Sequence, residues 1–79
     1  MLPQKFVSLP KSFMKRRDLL RHLEYYGCRL LREGSEHSIW ENTKNKMRTS
    51  VPRHREIVDF TAVRICKQLD IANPLENKN

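Results

Sequence analysis

The stretch that decides the fold runs from residue 28 to residue 41 and reads CRLLREGSEHSIWE. Residues 28–32 form a short apolar run of the kind that makes a strand. Residues 33–35 are a turn signal, because Gly34 can take a positive φ at little cost. Residues 37–41 then resume with β-branched and aromatic side chains, which favour strands. The two runs therefore predict a β-hairpin.

A third strand follows the hairpin. Residues 42–45, NTKN, are polar and predict a second turn. Residues 47–51 predict the strand, and Pro52 ends it because proline has no amide hydrogen to donate to a ladder. Three short strands joined by tight turns predict an antiparallel meander.

Helical patterns flank this meander on both sides. The first helix carries an apolar face made of Leu19, Leu20, Leu23 and Tyr26. Gly27 follows it at a position where glycine commonly ends a helix. The second helix, residues 60–69, has Asp59 as its expected N-cap and an apolar face made of Val58, Ala62, Ile65, Cys66 and Leu69. The order α-β-β-β-α predicts an α+β fold: a three-stranded antiparallel sheet with both helices on one face.

The chain of 79 residues predicts one domain with a modest core. Residues 1–13 carry two prolines and no clear period, so we expect an extended arm before a folded domain at residues 14–71. Residues 72–79 are expected to be a loose tail. No apolar run resembles a signal peptide or a membrane span, so the sequence predicts a cytoplasmic protein.

Charge gives the first functional indication. Sixteen Lys and Arg against nine Asp and Glu give a net charge of +7, which favours a polyanionic partner such as nucleic acid. An acidic protein is a second possibility, and a membrane surface ranks last because neither helix has a basic amphipathic pattern with bulky anchors. Cys28 and Cys66 lie far apart and are expected to be buried, reduced thiols.

The chemistry that remains belongs to histidine. The sequence has no Gly-rich phosphate loop, paired-carboxylate signature or zinc spacing, so no cofactor and no metal are expected. An imidazole titrates near neutrality and can exchange a proton with a ribose hydroxyl. His22, in the middle of the first helix, is expected to be structural. His37 opens a strand just after the Gly34-Ser35 turn, and its spacing leaves a catalytic and a structural role both open.

A family resemblance adds to these observations. The segments that carry it are GSEH at residues 34–37, VPRH at residues 51–54 and KQLDI at residues 67–71, with Ile57, Thr61 and Ile65 between the last two. Together with the first helix they resemble the HicA toxin family over residues 14–71. The resemblance implies a double-stranded-RNA-binding-domain-like fold, mRNA cleavage that arrests growth, and neutralisation by a HicB antitoxin that covers the active site. It places the catalytic histidine at His37, with Gly34 and Ser35 in the turn that presents it.

Three features of this chain depart from the family pattern. Many relatives have a second histidine where this chain has Glu36, so that residue cannot act as an extra acid or base in the same way. Phe60 stands where relatives commonly have glycine, so the start of the second helix is expected to differ. The arm of residues 1–13 has no counterpart, which makes Met14 a candidate natural start.

The interpretation is therefore a metal-independent endoribonuclease that cleaves mRNA by attack of the 2′-hydroxyl on the adjacent phosphate, with His37 moving the proton. Trp40 either stacks on a base or packs in the core. Basic residues either hold phosphates or form a solvated edge: Lys46, Arg48, Arg53 and Arg55. His54 either assists at the site or binds an RNA phosphate, or else stabilises a turn. Arg16, Arg17 and Arg21 are expected on the solvent face of the first helix. Two alternatives stay open: a double-stranded-RNA-binding module without catalysis, and an inactive toxin remnant that only binds its antitoxin.

Overall fold

The computed structural model describes residues 13–75. In chain order its elements are β1 Phe13–Lys15, α1 Arg16–Tyr25, β2 Cys28–Glu33, β3 His37–Asn42, β4 Arg48–Pro52, β5 Glu56–Val58 and α2 Asp59–Leu69. Strands β2, β3 and β4 form an antiparallel sheet in that order, while β1 and β5 form a separate two-stranded ladder. The α+β class with a three-stranded antiparallel sheet and two helices is confirmed. The predicted arm lies outside the described residues except for Phe13, and so does the tail after Leu75.

One face of the sheet packs against both helices. In β3, Ser38, Trp40 and Asn42 are buried on this inner face, opposite Val51, Thr49 and Cys28 of the neighbouring strands. The helices contribute the rest of the core: Leu19 and Leu23 from α1, and Ala62, Ile65, Cys66 and Leu69 from α2. Because side chains alternate along a strand, His37 and Ile39 point to the opposite face, away from the core that α1 and α2 complete.

The end of α1 agrees with the sequence prediction, whereas the start of α2 differs from it. Gly27 has a φ of +85°, as expected of a glycine that ends a helix. Asp59 is the first residue of α2 rather than its N-cap, so that prediction is wrong, and no side chain caps this helix. Val58, expected on the helix face, is instead the half-exposed last residue of β5.

The β1–β5 ladder was not predicted. It pairs Phe13 with Val58, Met14 with Ile57 and Lys15 with Glu56. Each strand has three residues, too few to show an alternating pattern in the sequence. The ladder buries Ile57 in the core and brings the start of α1 beside the chain that leaves β4.

Several expected structural roles are confirmed. The Nε2 atom of His22 lies 2.7 Å from the carbonyl oxygen of Ala72, which ties α1 to the segment after α2. Cys28 and Cys66 are free and buried.

Within residues 13–75, neither helix is long and apolar enough to cross a membrane.

Candidate active site

The turn before β3 is closed by a contact that only glycine permits. The amide of Gly34 donates a 2.8 Å hydrogen bond to the carbonyl oxygen of His37. A Cβ atom on Gly34 would lie 2.7 Å from that same oxygen. The φ of Gly34 is not in the left-handed region, so the expectation of a positive φ is wrong. The turn requires glycine because its backbone approaches His37 too closely for any side chain.

His37 is exposed at the first position of β3, where its Cα pairs with Pro52 of β4. This pairing places residues 53 and 54, which follow β4, beside the turn that precedes β3. The turn, the first residue of β3 and the residues after β4 line a pocket of about 470 Å³: Ser35, Glu36, His37, Arg53 and His54. We call it the His37 pocket. The structure therefore brings together five of the residues singled out in the sequence.

Arg53 is held in place by contacts on two sides. Its Nη1 atom donates a 2.7 Å hydrogen bond to the carbonyl oxygen of Gly34, and its Nε atom lies 3.2 Å from Oε2 of Glu33. Its backbone amide donates to the carbonyl oxygen of Glu36 at 3.1 Å. Because a guanidinium has five N–H donors, these two side-chain contacts leave donors for a phosphate.

A relay of hydrogen bonds through the buried Ser38 leads to the glutamate that holds this arginine. Nη2 of Arg16 donates to Oγ of Ser38 at 2.9 Å, and that hydroxyl donates to Oε1 of Glu33 at 2.9 Å. Nε of Arg16 also donates to the carbonyl oxygen of Pro52 at 2.8 Å. The expectation that Arg16 lies on the solvent face of the first helix is therefore wrong. Nothing in the local sequence marks its role, because its partners lie 22 and 36 residues further along the chain.

Lys46 and Arg48 lie at the other end of the sheet. Arg48 pairs with Glu41 of β3, four residues from His37 and hence about 13 Å along the strand at 3.3 Å per residue. Lys46 is further on, in the turn between β3 and β4, with a φ of 66°. The structure does not place either residue in the His37 pocket, and phosphate binding by them stays a prediction.

Glu41 carries a small ion-pair cluster at that end. Its side chain is 5% exposed and lies 3.4 Å from Nη2 of Arg29 and 3.2 Å from Nε of Arg48. Burial opposes ionisation of this carboxyl. The hydrogen bond and charge of Arg48, with the charges of Lys46 and Arg29, nevertheless lower its pKa below the usual range. The ionised Glu41 carboxylate therefore offsets part of the positive charge of Arg48.

Trp40 does not line the His37 pocket. Its side chain belongs to the core and the residue is only 4% exposed. A base cannot stack on a ring that is buried in the core, so the structure favours the packing alternative over the predicted RNA contact. The exposed aromatic residues among the described ones are Phe13, Tyr25 and Phe60.

No metal site accompanies these residues. Within residues 13–75, no three His, Cys, Asp or Glu side chains are grouped so that they could hold a metal ion. The chemistry that this arrangement can supply is proton transfer by His37 or His54 and charge stabilisation by Arg53.

Comparison with known proteins gives one match. The family model described as HicA toxin of bacterial toxin–antitoxin matches residues 16–71, which is more than half of the 79 residues and includes both helices and the whole His37 pocket. No curated protein and no solved structure gives a significant match.

Proposed function

The chain belongs to the HicA toxin family of bacterial toxin–antitoxin systems, and we propose that it is an endoribonuclease that cleaves mRNA with His37 as its proton-transfer group. The observation that carries this proposal is the His37 pocket. It combines an exposed imidazole at a fixed strand position with an arginine held at its edge. These groups supply two things that cleavage of an RNA phosphodiester uses: proton transfer and stabilisation of the developing charge.

The proposed reaction uses the substrate's own nucleophile. His37 takes the proton from a ribose 2′-hydroxyl, whose oxygen then attacks the adjacent phosphorus. The bond from phosphorus to the 5′-oxygen breaks, and that oxygen leaves with a proton supplied by a second acid. The products are a 2′,3′-cyclic phosphate and a 5′-hydroxyl end.

The other pocket residues have supporting roles in this proposal. Arg53 stabilises the charge that develops on the phosphorane oxygens, because its guanidinium is already oriented by Gly34 and Glu33. His54 lines the same pocket and is the candidate for the acid that protonates the 5′-oxygen. A single well-placed histidine contributes about 10²- to 10⁴-fold in rate.

Membership of a toxin–antitoxin family implies an antitoxin partner. We propose that this partner is a HicB-type protein that covers the His37 pocket and so excludes mRNA. The cytoplasm, where mRNA and antitoxin meet, is the proposed site of action.

The deciding experiment compares His37→Ala with the wild-type chain on end-labelled RNA in EDTA. His37 is an exposed residue at the first position of its strand, so the substitution should cost less than about 1 kcal/mol of stability. RNA binding and antitoxin binding should be retained, and cleavage should fall by about 10²- to 10⁴-fold. His54→Ala, measured in parallel, separates the roles of the two pocket histidines.

The alternatives give different results in the same assay. Cleavage at the wild-type rate by His37→Ala would remove His37 from the mechanism and leave His54 as the candidate. A wild-type chain that binds RNA without cutting it would be a binding module. A chain that binds only its antitoxin would be an inactive remnant.

A further inference from the structure

A second pocket lies next to the His37 pocket, and every described residue that lines it is cationic. Its volume is about 570 Å³, and its lining residues are Lys15, Arg16, Arg17, Arg53 and Arg55. We call it the basic pocket. Arg53 lines both pockets, so the two are adjacent at that residue.

The basic pocket is built by the fold rather than by chance proximity of surface side chains. The amide of Arg16 donates a 2.8 Å hydrogen bond to the carbonyl oxygen of Arg55, and Nε of Arg16 donates to that of Pro52 at 2.8 Å. These two bonds fix both ends of residues 53–55 against the start of α1. The β1–β5 ladder holds the same segments together from the other side, through the pairing of Lys15 with Glu56.

Positive charge in this pocket exceeds the nearby negative charge. Among residues 13–75, no carboxylate lines it. Asp18 lies 3.8 Å from Arg17, Glu33 lies 3.2 Å from Arg53, and Glu56 is the strand partner of Lys15. Subtracting these three carboxylates from the five cations still leaves an excess of two positive charges. The first turn of α1, which no side chain caps, adds the partial positive charge of a helix N-terminus.

We propose that the basic pocket binds the RNA backbone phosphates next to the linkage that is cleaved in the His37 pocket. Arg53, shared by both pockets, contacts the reacting phosphate, while Lys15, Arg17 and Arg55 hold neighbouring phosphates. Phosphate contacts of this kind fix the register of a strand without reading its sequence. This inference rests on the proposed function for the identity of the ligand, and it adds the path that the RNA follows across the surface.

The test compares two triple variants of the full chain that remove the same charge. The first carries Lys15→Gln, Arg17→Gln and Arg55→Gln. The control carries Arg21→Gln, Arg64→Gln and Lys67→Gln, which are exposed helix residues that line neither pocket. Arg16 and Arg53 stay unchanged because their side chains support the fold and the His37 pocket. Binding of a fluorescent 2′-O-methyl RNA 12-mer is measured by anisotropy at several salt concentrations, and melting curves check folding.

The 2′-O-methyl group blocks cleavage, so binding is measured independently of the proposed chemistry. Loss of three phosphate contacts should lower the magnitude of the negative slope of log affinity against log salt by about 2, at about 0.7 per phosphate on single strands. The control should leave the slope unchanged. The single variant Arg55→Gln should lower the magnitude of the slope by about 0.7, and it provides the same test if the triple variant does not fold.

Equal slope changes in the two triple variants would show diffuse attraction and would overturn the proposal, as would no change in either. Weakened binding to the purified antitoxin with an unchanged RNA slope would assign the pocket to a protein partner and overturn it too. If the first triple variant selectively loses RNA binding while the wild-type chain never cuts unmodified RNA, the basic pocket is upheld and the ribonuclease is refuted instead.

Discussion

Replacing Gly34 by alanine should damage the site more than the fold. The new Cβ would lie 2.7 Å from the carbonyl oxygen of His37, where an ordinary contact begins at 3.4 Å. The turn must therefore open by about 0.7 Å. That movement breaks the 2.8 Å bond from the Gly34 amide to the same oxygen and displaces the residue that carries the imidazole.

The size of the effect follows from these two contacts. The lost hydrogen bond contributes about 0.5–1.5 kcal/mol, and steric overpacking costs about 1–3 kcal/mol. The reduced freedom of the unfolded chain offsets about 0.4–1 kcal/mol. The expected net loss is about 0.5–4 kcal/mol, or a melting temperature lower by about 2–30 °C for a domain of this size. Cleavage should fall by about 10²-fold, because a displacement near 1 Å is enough to misalign reacting groups.

The assay pairs thermal melting with RNA cleavage at a temperature where every variant is folded. Gly27→Ala is the matched control. Its φ of +85° makes alanine strained by about 1–2 kcal/mol, but its Cβ has room and the residue lies at the far end of α1 from Arg16. Gly27→Ala should therefore lose stability and keep its rate of cleavage. A Gly34→Ala protein that cuts at the wild-type rate, or a Gly27→Ala protein that loses as much activity, would refute this reasoning.

Three further predictions concern the rest of the chain. Lowering of the Glu41 pKa means that its ionised form stabilises the fold above the ordinary value of 4.5, and that this contribution is lost as the pH falls through the lowered pKa. As the pH is lowered from 7 to 3, the melting temperature should therefore fall more steeply for the wild type than for Glu41→Gln. Parallel dependence of the two melting temperatures on pH would contradict this. Burial, with a smaller contribution from Cys28, raises the pKa of the Cys66 thiol to about 12, so iodoacetamide should label it at pH 8 only after unfolding; rapid labelling of the native protein would show an accessible thiol. A chain that begins at Met14 should melt within a few degrees of the full chain, because Phe13 is 41% exposed, whereas a large loss would show that residues 1–13 contribute to the core.

Periodicity predicted the elements that have enough residues to show it. The hairpin, the third strand and the apolar positions of both helices follow from patterns of five or more residues. The β1–β5 ladder has no such pattern, since each strand has three residues and gains its stability from tertiary contacts. At Gly34 the sequence indicated that glycine was needed, but it could not show whether φ or a close approach required it.

The site was predictable where strand pairing brings near neighbours together. Residues 53 and 54 come beside the turn because Pro52 pairs with His37, which a tight meander implies. The same antiparallel direction carries Arg48 away from the site, although it lies on the strand that ends there. Arg16 could not be found this way, because its contacts with Ser38 and Pro52 depend on how α1 docks on the sheet.

The buried hydroxyl of Ser38 explains how the fold controls the charges of the pocket. A hydroxyl in a core is costly unless it is hydrogen-bonded, and Ser38, with no exposed surface, accepts from Arg16 and donates to Glu33. Glu33 uses its other oxygen to hold Arg53, the residue that both pockets share. The guanidinium proposed to stabilise the transition state is thus oriented by a relay that begins at the first residue of α1. Such preorganised charge needs little rearrangement when the substrate reacts, which is the condition under which it contributes most to catalysis.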